Sequence, residues 1–338
     1  RDFCLSRGLG DVYKRQEFFY VIKFDKPYID IEELQPQEGE KAKRLLLSFY
    51  LKPGENVQVK VGLSTVSIEG AQEALEKENP DWNFEKVKAQ SAEAWNNLLS
   101  RIDVSGTEEQ KVNFYTSIYH LCIQPNNITD VDGRYRGPND SILYSPIGEY
   151  YSTLSLWDTY RAAHPLYTLL VPEKVNGFVN SMLSHCDTQG YLPIWALWGK
   201  ENHCMIGNHA IPVIVDAYLK GYKGFDPERA YEAIRKSSLE SHPKSDWETY
   251  NQYGYYPFDL IPEESVSRTL ESCYDDYCVA QMAKELGKKE DYNFFSKRAR
   301  AYTSLFDPVT KLMRGKDSQG KWREPFDPVS YTHLRAHE

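Results

Sequence analysis

The stretch PEKVNGFVNSMLSHC (172–186) decides how the larger part of this chain folds. Its apolar residues recur at i, i+3, i+4, i+7 and i+8, the spacing of one face of an α-helix; they are Val175, Phe178, Val179, Met182 and Leu183. Pro172 stands at the start, where a helix tolerates proline. We therefore predict an amphipathic helix that buries this stripe against neighbouring helices.

Patterns of the same kind lie on both sides of this stretch. Further helices are predicted from about His209 to Leu219, from Pro227 to about Lys236, from about Glu264 to Leu286 and from Asp291 to Leu305. On the N-terminal side, a helical pattern begins at Gly70 and continues to Leu99. Successive antiparallel helices joined by long loops indicate helix hairpins arranged as a toroid. No strand–helix alternation is visible, which argues against a Rossmann sheet or a TIM barrel.

Residues 17–69 have the two-residue period of β-strands instead. Apolar side chains alternate in three runs, around Phe18–Ile22, at Leu45, Leu47 and Phe49, and at Val57, Val59, Val61 and Leu63. Pro53-Gly54, between the second and third runs, predicts a hairpin turn that joins them. We therefore predict antiparallel sheet here, and a multidomain α+β fold for the whole chain.

The composition limits the classes of function. A length of 338 residues suits two packed units, and a net charge of -9 argues against nucleic-acid binding, which needs a basic surface. No apolar stretch reaches the roughly 18 residues of a membrane span. Aromatic residues make up 14%, which fits either sugar stacking or aromatic-rich packing. The six Cys contain no C-x-x-C pair and are predicted to be free thiols, although an exported protein could form one bridge.

The two ends of the chain differ from the rest. Residues 1–16 (RDFCLSRGLGDVYKRQ) do not match the pattern that follows, and residues 329–338 (VSYTHLRAHE) interrupt a regular stretch. Both resemble translated adapter sequence, and the alternative is a native but disordered tail at each end. We expect both ends to be non-native, and no signal peptide is visible.

Two acidic segments are ambiguous. DVDGRYRG (130–137) starts like a calcium loop but lacks the further ligands, so an Asp-Gly turn is favoured over a metal site. Glu271 and Asp275, in TLESCYDDY (269–277), are four residues apart on one helix face, where like charges repel. Their presence indicates a cation, a sugar or an Arg nearby, unless the face is simply solvated. Glu271, Asp275 and Asp276 are the candidates for binding a substrate in this segment.

Two segments combine aromatic and polar residues. In SLWDTYR (155–161), Trp157 offers a stacking platform, and Asp158 and Arg161 offer hydrogen bonds for a sugar; the alternative is a capped helix start. WALWGKENHCMIGNH (195–209) holds two Trp, two Asn, two His and one Glu between glycines. Buried without partners, such polar groups are costly, which favours a functional role. The candidates for binding a substrate are Trp198, Glu201, Asn202, His203 and Cys204. His203 and His209 lack the spacing of a helical zinc pair.

At these segments the chain resembles glycoside hydrolase family 92, calcium-dependent exo-acting α-mannosidases of bacteria. The similarity covers about 17–328, and its motifs are FYTSIYH (114–120), DVDGRYRG (130–137), SLWDTYRAAHPL (155–166), GYLPIW (190–195), CMIGNHAIPVIVDAYLKG (204–221), SVSRTLESCYDDYC (265–278) and FDP-x-T-x-x-MRG (306–315).

The resemblance implies an N-terminal β-sandwich joined by helices to an (α/α)6 toroid, with the active site where they meet. We then expect the C-terminal part of the sandwich in 17–70, a helical linker in 71–104 and the first part of the toroid in 105–328. It also implies a calcium cofactor, α-mannoside glycans as partners, and a periplasmic, outer-surface or secreted location. The oligomeric state stays open.

The implied reaction is hydrolysis of terminal α-linked mannose with inversion, which needs an acid and a base about 6.5–9.5 Å apart. By resemblance Asp158 contacts the sugar, and Glu201 occupies the family's Gly-x-Glu position, with Lys200 where the family often has Asn. The family's acid, base and main calcium ligands are expected after the matching part ends. We therefore expect an internal fragment that is inactive alone, with Glu201 as its leading candidate for a catalytic acidic group. The alternative function is a non-catalytic carbohydrate-binding protein on the same scaffold.

Overall fold

The computed structural model describes residues 18–35 and 44–327, and the backbone alone of residues 3–7. Of the two ends expected to be non-native, 329–338 lies outside the described residues, and 1–16 is described only at the strand Phe3–Arg7. The chain divides into two compact units. Unit 1 comprises Arg1–Lys111, Ile128–Tyr135 and Ile142–Gly148, and unit 2 comprises Val112–Asn127, Arg136–Ser141 and Glu149–Glu338.

Strands and helices are mixed along the chain, which confirms the broad α+β class. The strands are β1 Phe3–Arg7, β2 Phe18–Phe24, β3 Asp30–Leu34, β4 Arg44–Ser48, β5 Val59–Ser64, β6 Asn126–Asn127, β7 Arg134–Arg136, β8 Ile142–Tyr144, β9 Tyr151–Ser152, β10 Leu154–Ser155, β11 Trp195–Leu197, β12 Lys200–Glu201, β13 Phe306–Asp307 and β14 Leu312–Met313. The helices are α1 Ile68–Glu78, α2 Phe84–Leu99, α3 Glu108–Leu121, α4 Leu156–Thr159, α5 Ala163–Leu170, α6 Pro172–Gln189, α7 Ala210–Leu219, α8 Pro227–Leu239, α9 Trp247–Tyr253, α10 Ser265–Glu285 and α11 Lys289–Arg298, followed by a 3-10 turn, Ala301–Leu305.

Unit 1 is built on an antiparallel sheet of order β1-β2-β5, with α1 packed on one face. Ser67 caps α1 by accepting a hydrogen bond from the Gly70 N–H. Val21 of β2 packs against Ala71 and Leu75 of α1. The helix lies so close to β5 that a Cβ on Gly62 would come within 2.1 Å of the Ala71 carbonyl oxygen. Glycine at position 62 is therefore a packing requirement.

The apolar residues of β5 lie on the sheet face away from α1. Val59, Val61 and Leu63 are more than half exposed, whereas the residues that alternate with them are buried. On this outer face Val61 is paired with Ile22, and Leu63 with Tyr20. The described part of unit 1 thus has an apolar sheet face that none of its own described helices covers.

The predicted hairpin at Pro53-Gly54 is wrong as a strand connection. Gly54 does adopt a left-handed turn conformation, but β4 pairs with β3 and β5 pairs with β2. The turn chemistry was visible locally, whereas the choice of partner strand depends on contacts distant in sequence.

The DVDGRYRG segment forms a turn, which is the alternative that the sequence favoured. The Gly133 N–H donates to the Asp130 carbonyl oxygen, and the Asp130 N–H donates to the Arg134 carbonyl oxygen. The buried Asp130 carboxylate accepts from the Ser64 hydroxyl at 2.7 Å. Across residues 18–35 and 44–327, no group of three or more His, Cys, Asp or Glu side chains is placed to hold a metal ion.

Unit 2 is mainly helical. Its core joins α6, α7, α8, α10 and α11, and α10 packs against α7, α8 and α11. All five residues of the predicted stripe in α6 are buried, and the helix ends at Gly190 in a left-handed conformation, which confirms that prediction.

The structure differs from the predicted helices at several places. The pattern from Gly70 to Leu99 is interrupted between α1 and α2, where Pro80 lies. The last predicted helix is divided into α11 and the 3-10 turn, and α5 and α9 were not predicted. The five cysteines from Cys122 onward are free thiols, as predicted; Cys4 lies outside the residues whose side chains are described. None of the helices in the described part is long and apolar enough to span a membrane.

Candidate active site

A small sheet in unit 2 joins two of the candidate segments. β10 pairs with β11 and β11 pairs with β12, so that Ser155 lies opposite Trp195, and Ala196 opposite Glu201. The chain leaves β10 directly into the short helix α4, which carries Trp157 and the exposed Asp158. The segments around 157 and 201 are therefore held together by backbone hydrogen bonds.

The third segment, on α10, meets the first through the carboxylate of Glu271. This carboxylate accepts hydrogen bonds from the Trp157 indole N–H at 3.2 Å and the Tyr160 hydroxyl at 3.3 Å. The Arg161 guanidinium lies 3.3 Å from it and packs over both aromatic rings. The Glu271 side chain is 17% exposed, so this group is at the edge of the solvent and could still receive a sugar hydroxyl.

His209, the residue that precedes α7, lies between Glu271 and Asp275. Its Nδ1 is 2.8 Å from Asp275, and its Nε2 is 3.2 Å from Glu271 at an angle poor for a hydrogen bond. The imidazole is stacked on the Tyr160 ring at a centroid distance of 4.1 Å. We call Trp157, Tyr160, Arg161, His209, Glu271 and Asp275 the carboxylate cluster.

Electrostatics in the cluster favour charged groups. Burial alone would lower the pKa of His209, but the Asp275 and Glu271 carboxylates outweigh it and raise the pKa to about 9. Burial opposes ionisation of Glu271 as well, yet His209 and Arg161 lower its pKa. Burial is the main reason that the pKa of Tyr160 is raised, so its hydroxyl stays protonated and remains a donor.

Glu201 has a different environment. Its carboxylate accepts backbone N–H groups of its own loop, from Ile194 at 2.8 Å, Trp195 at 3.0 Å, Asn202 at 2.8 Å and His203 at 2.7 Å. The side chain is 1% exposed, with His185 lying 3.7 Å behind it. A buried carboxylate whose oxygens are occupied by N–H donors can neither donate a proton nor reach a water. The geometry argues against Glu201 as a catalytic acidic group and indicates that it shapes the loop; its catalytic role stays a prediction.

The loop that Glu201 organises has an unusual backbone. Trp198, His203 and Met205 have φ values of 51°, 54° and 69°, a left-handed conformation that is rare outside glycine. Such backbone costs free energy, and it persists where the surroundings enforce it. The bonds to Glu201 on both sides of the loop supply that enforcement.

The remaining candidates of this loop are only partly buried or are exposed. The His203 Nε2 lies 2.6 Å from the Tyr191 hydroxyl, and the Asn202 side chain accepts the Cys204 N–H at 2.9 Å. Cys204 is exposed. Lys200, the departure from the family pattern, pairs with Asp140 at 2.6 Å.

Asp275 and Asp276 are buried and paired with groups of the protein, which argues against the prediction that they bind a substrate. Asp275 is 3% exposed, and its two oxygens accept from the Asn208 N–H and from His209. Asp276 is fully buried in the opposite direction, where Arg298 binds both of its oxygens at 2.7 Å. Both carboxylates hold cations of the protein itself.

The sequence reasoning missed Tyr160 and His209 as members of the cluster. The repulsion expected between Glu271 and Asp275 was the signal that a cation lies nearby. That signal did not identify the cation, because His209 is distant from α10 in sequence and had been considered only for zinc binding.

The chain is similar to known proteins in sequence and in structure. A family model described as "Glycosyl hydrolase family 92 catalytic domain" matches residues 70–338. The chain is similar in structure to the family GH92 α-mannosidase BT3965 of Bacteroides thetaiotaomicron, with a TM-score of 0.86 and 38% identity over 94% of this chain and 44% of that one. That enzyme has also been solved in complex with mannoimidazole. The inverting family GH92 mannosidase BT2199 of the same organism has a TM-score of 0.83 and 29% identity over 95% of this chain and 45% of that one.

A curated relative is also described as a glycosidase. An uncharacterized secreted glycosidase of Arthroderma benhamiae is 28% identical over 305 residues, which are 80% of this chain and 34% of the relative. The chain thus spans about a third of that relative and less than half of the two mannosidases.

Proposed function

Because this chain belongs to glycosyl hydrolase family 92, we propose that the full-length protein hydrolyses terminal α-linked mannose from mannans or N-glycans with inversion. The observation that carries the proposal is the 38% identity, at a TM-score of 0.86, to an α-mannosidase that binds mannoimidazole. Similarity to an inverting mannosidase supports the stereochemical outcome. We further propose export to the periplasm, the outer surface or the medium, which the secreted relative supports.

The described residues would bind the sugar rather than cleave it. Trp157 offers a ring face, and the exposed Asp158 follows it on the same turn of α4. Glu271 and Arg161 lie beside the indole. With Glu201 occupied by backbone donors, an acid and a base at the separation that inversion requires would come from other residues of the full-length protein. We accordingly propose that residues 1–338 alone do not turn over mannosides.

Calcium does not fit the described residues. In residues 18–35 and 44–327, no cluster of three or more acidic, His or Cys side chains could hold a metal ion, and His209 is paired with Asp275 and lies beside Glu271. We propose that the calcium ligands belong to other parts of the full-length protein.

For the fold we propose the end of a β-sandwich followed by part of an (α/α)6 toroid. The uncovered apolar face of β2 and β5 supports the first assignment, because sandwich sheets bury such a face against a second sheet. The packing of α10 against α7, α8 and α11 supports the second.

The test is release of mannose from an α-mannobioside by the full-length protein, with and without a chelator. Asp158→Ala should lower the rate by more than about a hundredfold if this carboxylate positions the sugar. Asp187→Ala is the matched control, because it removes an exposed carboxylate that pairs with Arg229 on the outside of α6 and α8. A near wild-type rate for Asp158→Ala would remove that residue from the site. Binding of mannose without release by the full-length protein would favour a non-catalytic carbohydrate-binding protein, and activity unaffected by chelation would remove calcium.

A further inference from the structure

The His209 side chain is enclosed by Glu271 and Asp275 of α10 and by Gly207. The imidazole is 1% exposed and lies between two carboxylates on successive turns of α10. Gly207 has a φ of +75°, and a Cβ there would come within 2.5 Å of the His209 ring. Any other residue at 207 would therefore collide with the imidazole as well as strain the backbone.

Both ring nitrogens of His209 face carboxylate oxygens, Asp275 at Nδ1 and Glu271 at Nε2. A neutral imidazole carries one N–H and would leave a lone pair directed at one of these anions. An imidazolium carries both N–H groups, so it donates to Asp275 from Nδ1 and places positive charge 3.2 Å from Glu271, where the attraction is electrostatic rather than a well-aligned hydrogen bond. The geometry thus selects the charged form of His209.

Glu271 in turn contacts three groups of the neighbouring segment, namely the Trp157 indole, the Tyr160 hydroxyl and the Arg161 guanidinium. Asp275, by contrast, is wholly committed to His209 and the Asn208 N–H. Asp275 thus contacts His209, and His209 contacts Glu271. Glu271 in turn contacts Trp157 and Arg161, the residues proposed to bind the sugar.

We propose that His209 is a positioning residue, whose bridge between Asp275 and Glu271 fixes Glu271 and, through it, the Trp157 indole and the Arg161 guanidinium. Its consequence for sugar binding rests on the proposed function, whereas the bridge itself does not. Because the His209 side chain is 1% exposed, it would act on a substrate only through Glu271.

The charges around His209 define a pH range. Facing it or its two partners are Glu271, Asp275 and Tyr274 of α10, and Tyr160 and Arg161 of the segment after β10. Burial raises the pKa of Tyr160, and raises that of Tyr274 to about 12, so both hydroxyls keep their protons where His209 titrates. With its pKa raised to about 9, His209 loses its proton first. The bridge should be present below that pH and lost above it.

The first test uses the 338-residue chain and needs no enzymatic activity. The difference in emission between the wild type and Trp157→Phe isolates Trp157, and it should change between pH 8 and pH 10 with a midpoint near 9. In His209→Gln this transition should vanish, while His120→Gln, which changes an exposed residue of α3, should keep it. Carbon-13 spectra of labelled histidine should show one imidazolium at pH 8, absent from His209→Gln. A neutral His209 at pH 8, or a transition unchanged in a folded His209→Gln, would overturn the proposal.

The second test uses the full-length protein on an α-mannobioside. Loss of a charge-assisted contact behind the binding residues should raise KM about tenfold or more with a smaller change in kcat. The wild-type KM should rise above pH 9, and the KM of His209→Gln should not. A variant KM within about twofold of the wild type overturns the positioning role. If the full-length protein releases no mannose, the proposed function fails, and the spectroscopic test still decides whether the bridge exists.

Discussion

Replacing Arg298 by Met removes the cation from the interior of unit 2. The Arg298 side chain is 8% exposed, and its guanidinium binds both oxygens of the fully buried Asp276 at 2.7 Å. It also donates to the Ser238 carbonyl oxygen at 2.6 Å and lies 4.4 Å from the Trp247 ring centroid. Methionine fills similar space with no charge, so the change isolates the loss of the ion pair from a loss of volume.

The loss of stability arises because Asp276 remains buried without a cationic partner. Removing one partner of a buried ion pair destabilises a protein by about 3–5 kcal/mol, because the other charge is left uncompensated. At about 2–4 °C per kcal/mol, the melting temperature should fall by roughly 6–20 °C. Burial already raises the pKa of Asp276 to about 6 despite Arg298, and without the cation it should rise further. A carboxyl with a raised folded pKa loses stability as pH increases. The deficit of Arg298→Met should therefore grow from pH 5 to pH 8.

The assay is urea unfolding followed by tryptophan emission at pH 5 and pH 8. Arg235→Met is the matched control: its ion pair with Asp291 is 42% and 23% exposed, and such pairs contribute about 0–1 kcal/mol. Adding Asp276→Asn to Arg298→Met removes the stranded charge and should recover part of the loss. If Arg298→Met lowers the free energy of unfolding no more than Arg235→Met does, or if the loss does not depend on pH, the pair of Arg298 and Asp276 does not stabilise unit 2 in this way.

Two further outcomes follow from the loop that contains Glu201. Glu201→Gln replaces one acceptor oxygen by an NH2 group that faces backbone donors, so the loop should open. Faster amide exchange at Ile194 and Trp195, and protease cleavage within 198–207, would show the opening. Unchanged amide exchange would contradict it. Cys204 is exposed, whereas burial raises the pKa of the Cys278 thiol to about 12. Cys204→Ser should remove one fast-reacting equivalent in a thiol titration and Cys278→Ser none, and equal losses would refute this difference.

Periodicity predicted helices better than it predicted the arrangement of the sheet. The stripe in α6 was read correctly, because burial of a helix face repeats within the segment itself. The runs that became β2 and β5 were recognised as strands, but their pairing was not. A local Pro-Gly turn does not determine which strand lies alongside, since pairing depends on residues that are distant along the chain.

The density of polar residues located the site without giving the direction of each side chain. It selected Trp157 and Glu271, which the structure brings to 3.2 Å. It also selected Glu201, whose carboxylate is directed into its own loop. Adjacent residues on α10 show the limit most clearly, since Asp275 binds His209 while Asp276 binds Arg298. A helix directs neighbouring positions about 100° apart, so two adjacent carboxylates rarely serve one ligand.

The like-charge pair on α10 shows what such reasoning can and cannot reach. Glu271 and Asp275 repel each other at i, i+4, and burial of both makes a solvated face untenable, since their side chains are 17% and 4% exposed. Once their burial is known, the pair needs a nearby cation, which was one of the alternatives that the spacing had left open. The identity of this cation could not be predicted from the sequence. His209 precedes α7 and comes close to α10 only in the folded chain, and it is charged only because two anions raise its pKa. The same anions that need His209 thus create its charge, and this mutual dependence makes the bridge sensitive to pH.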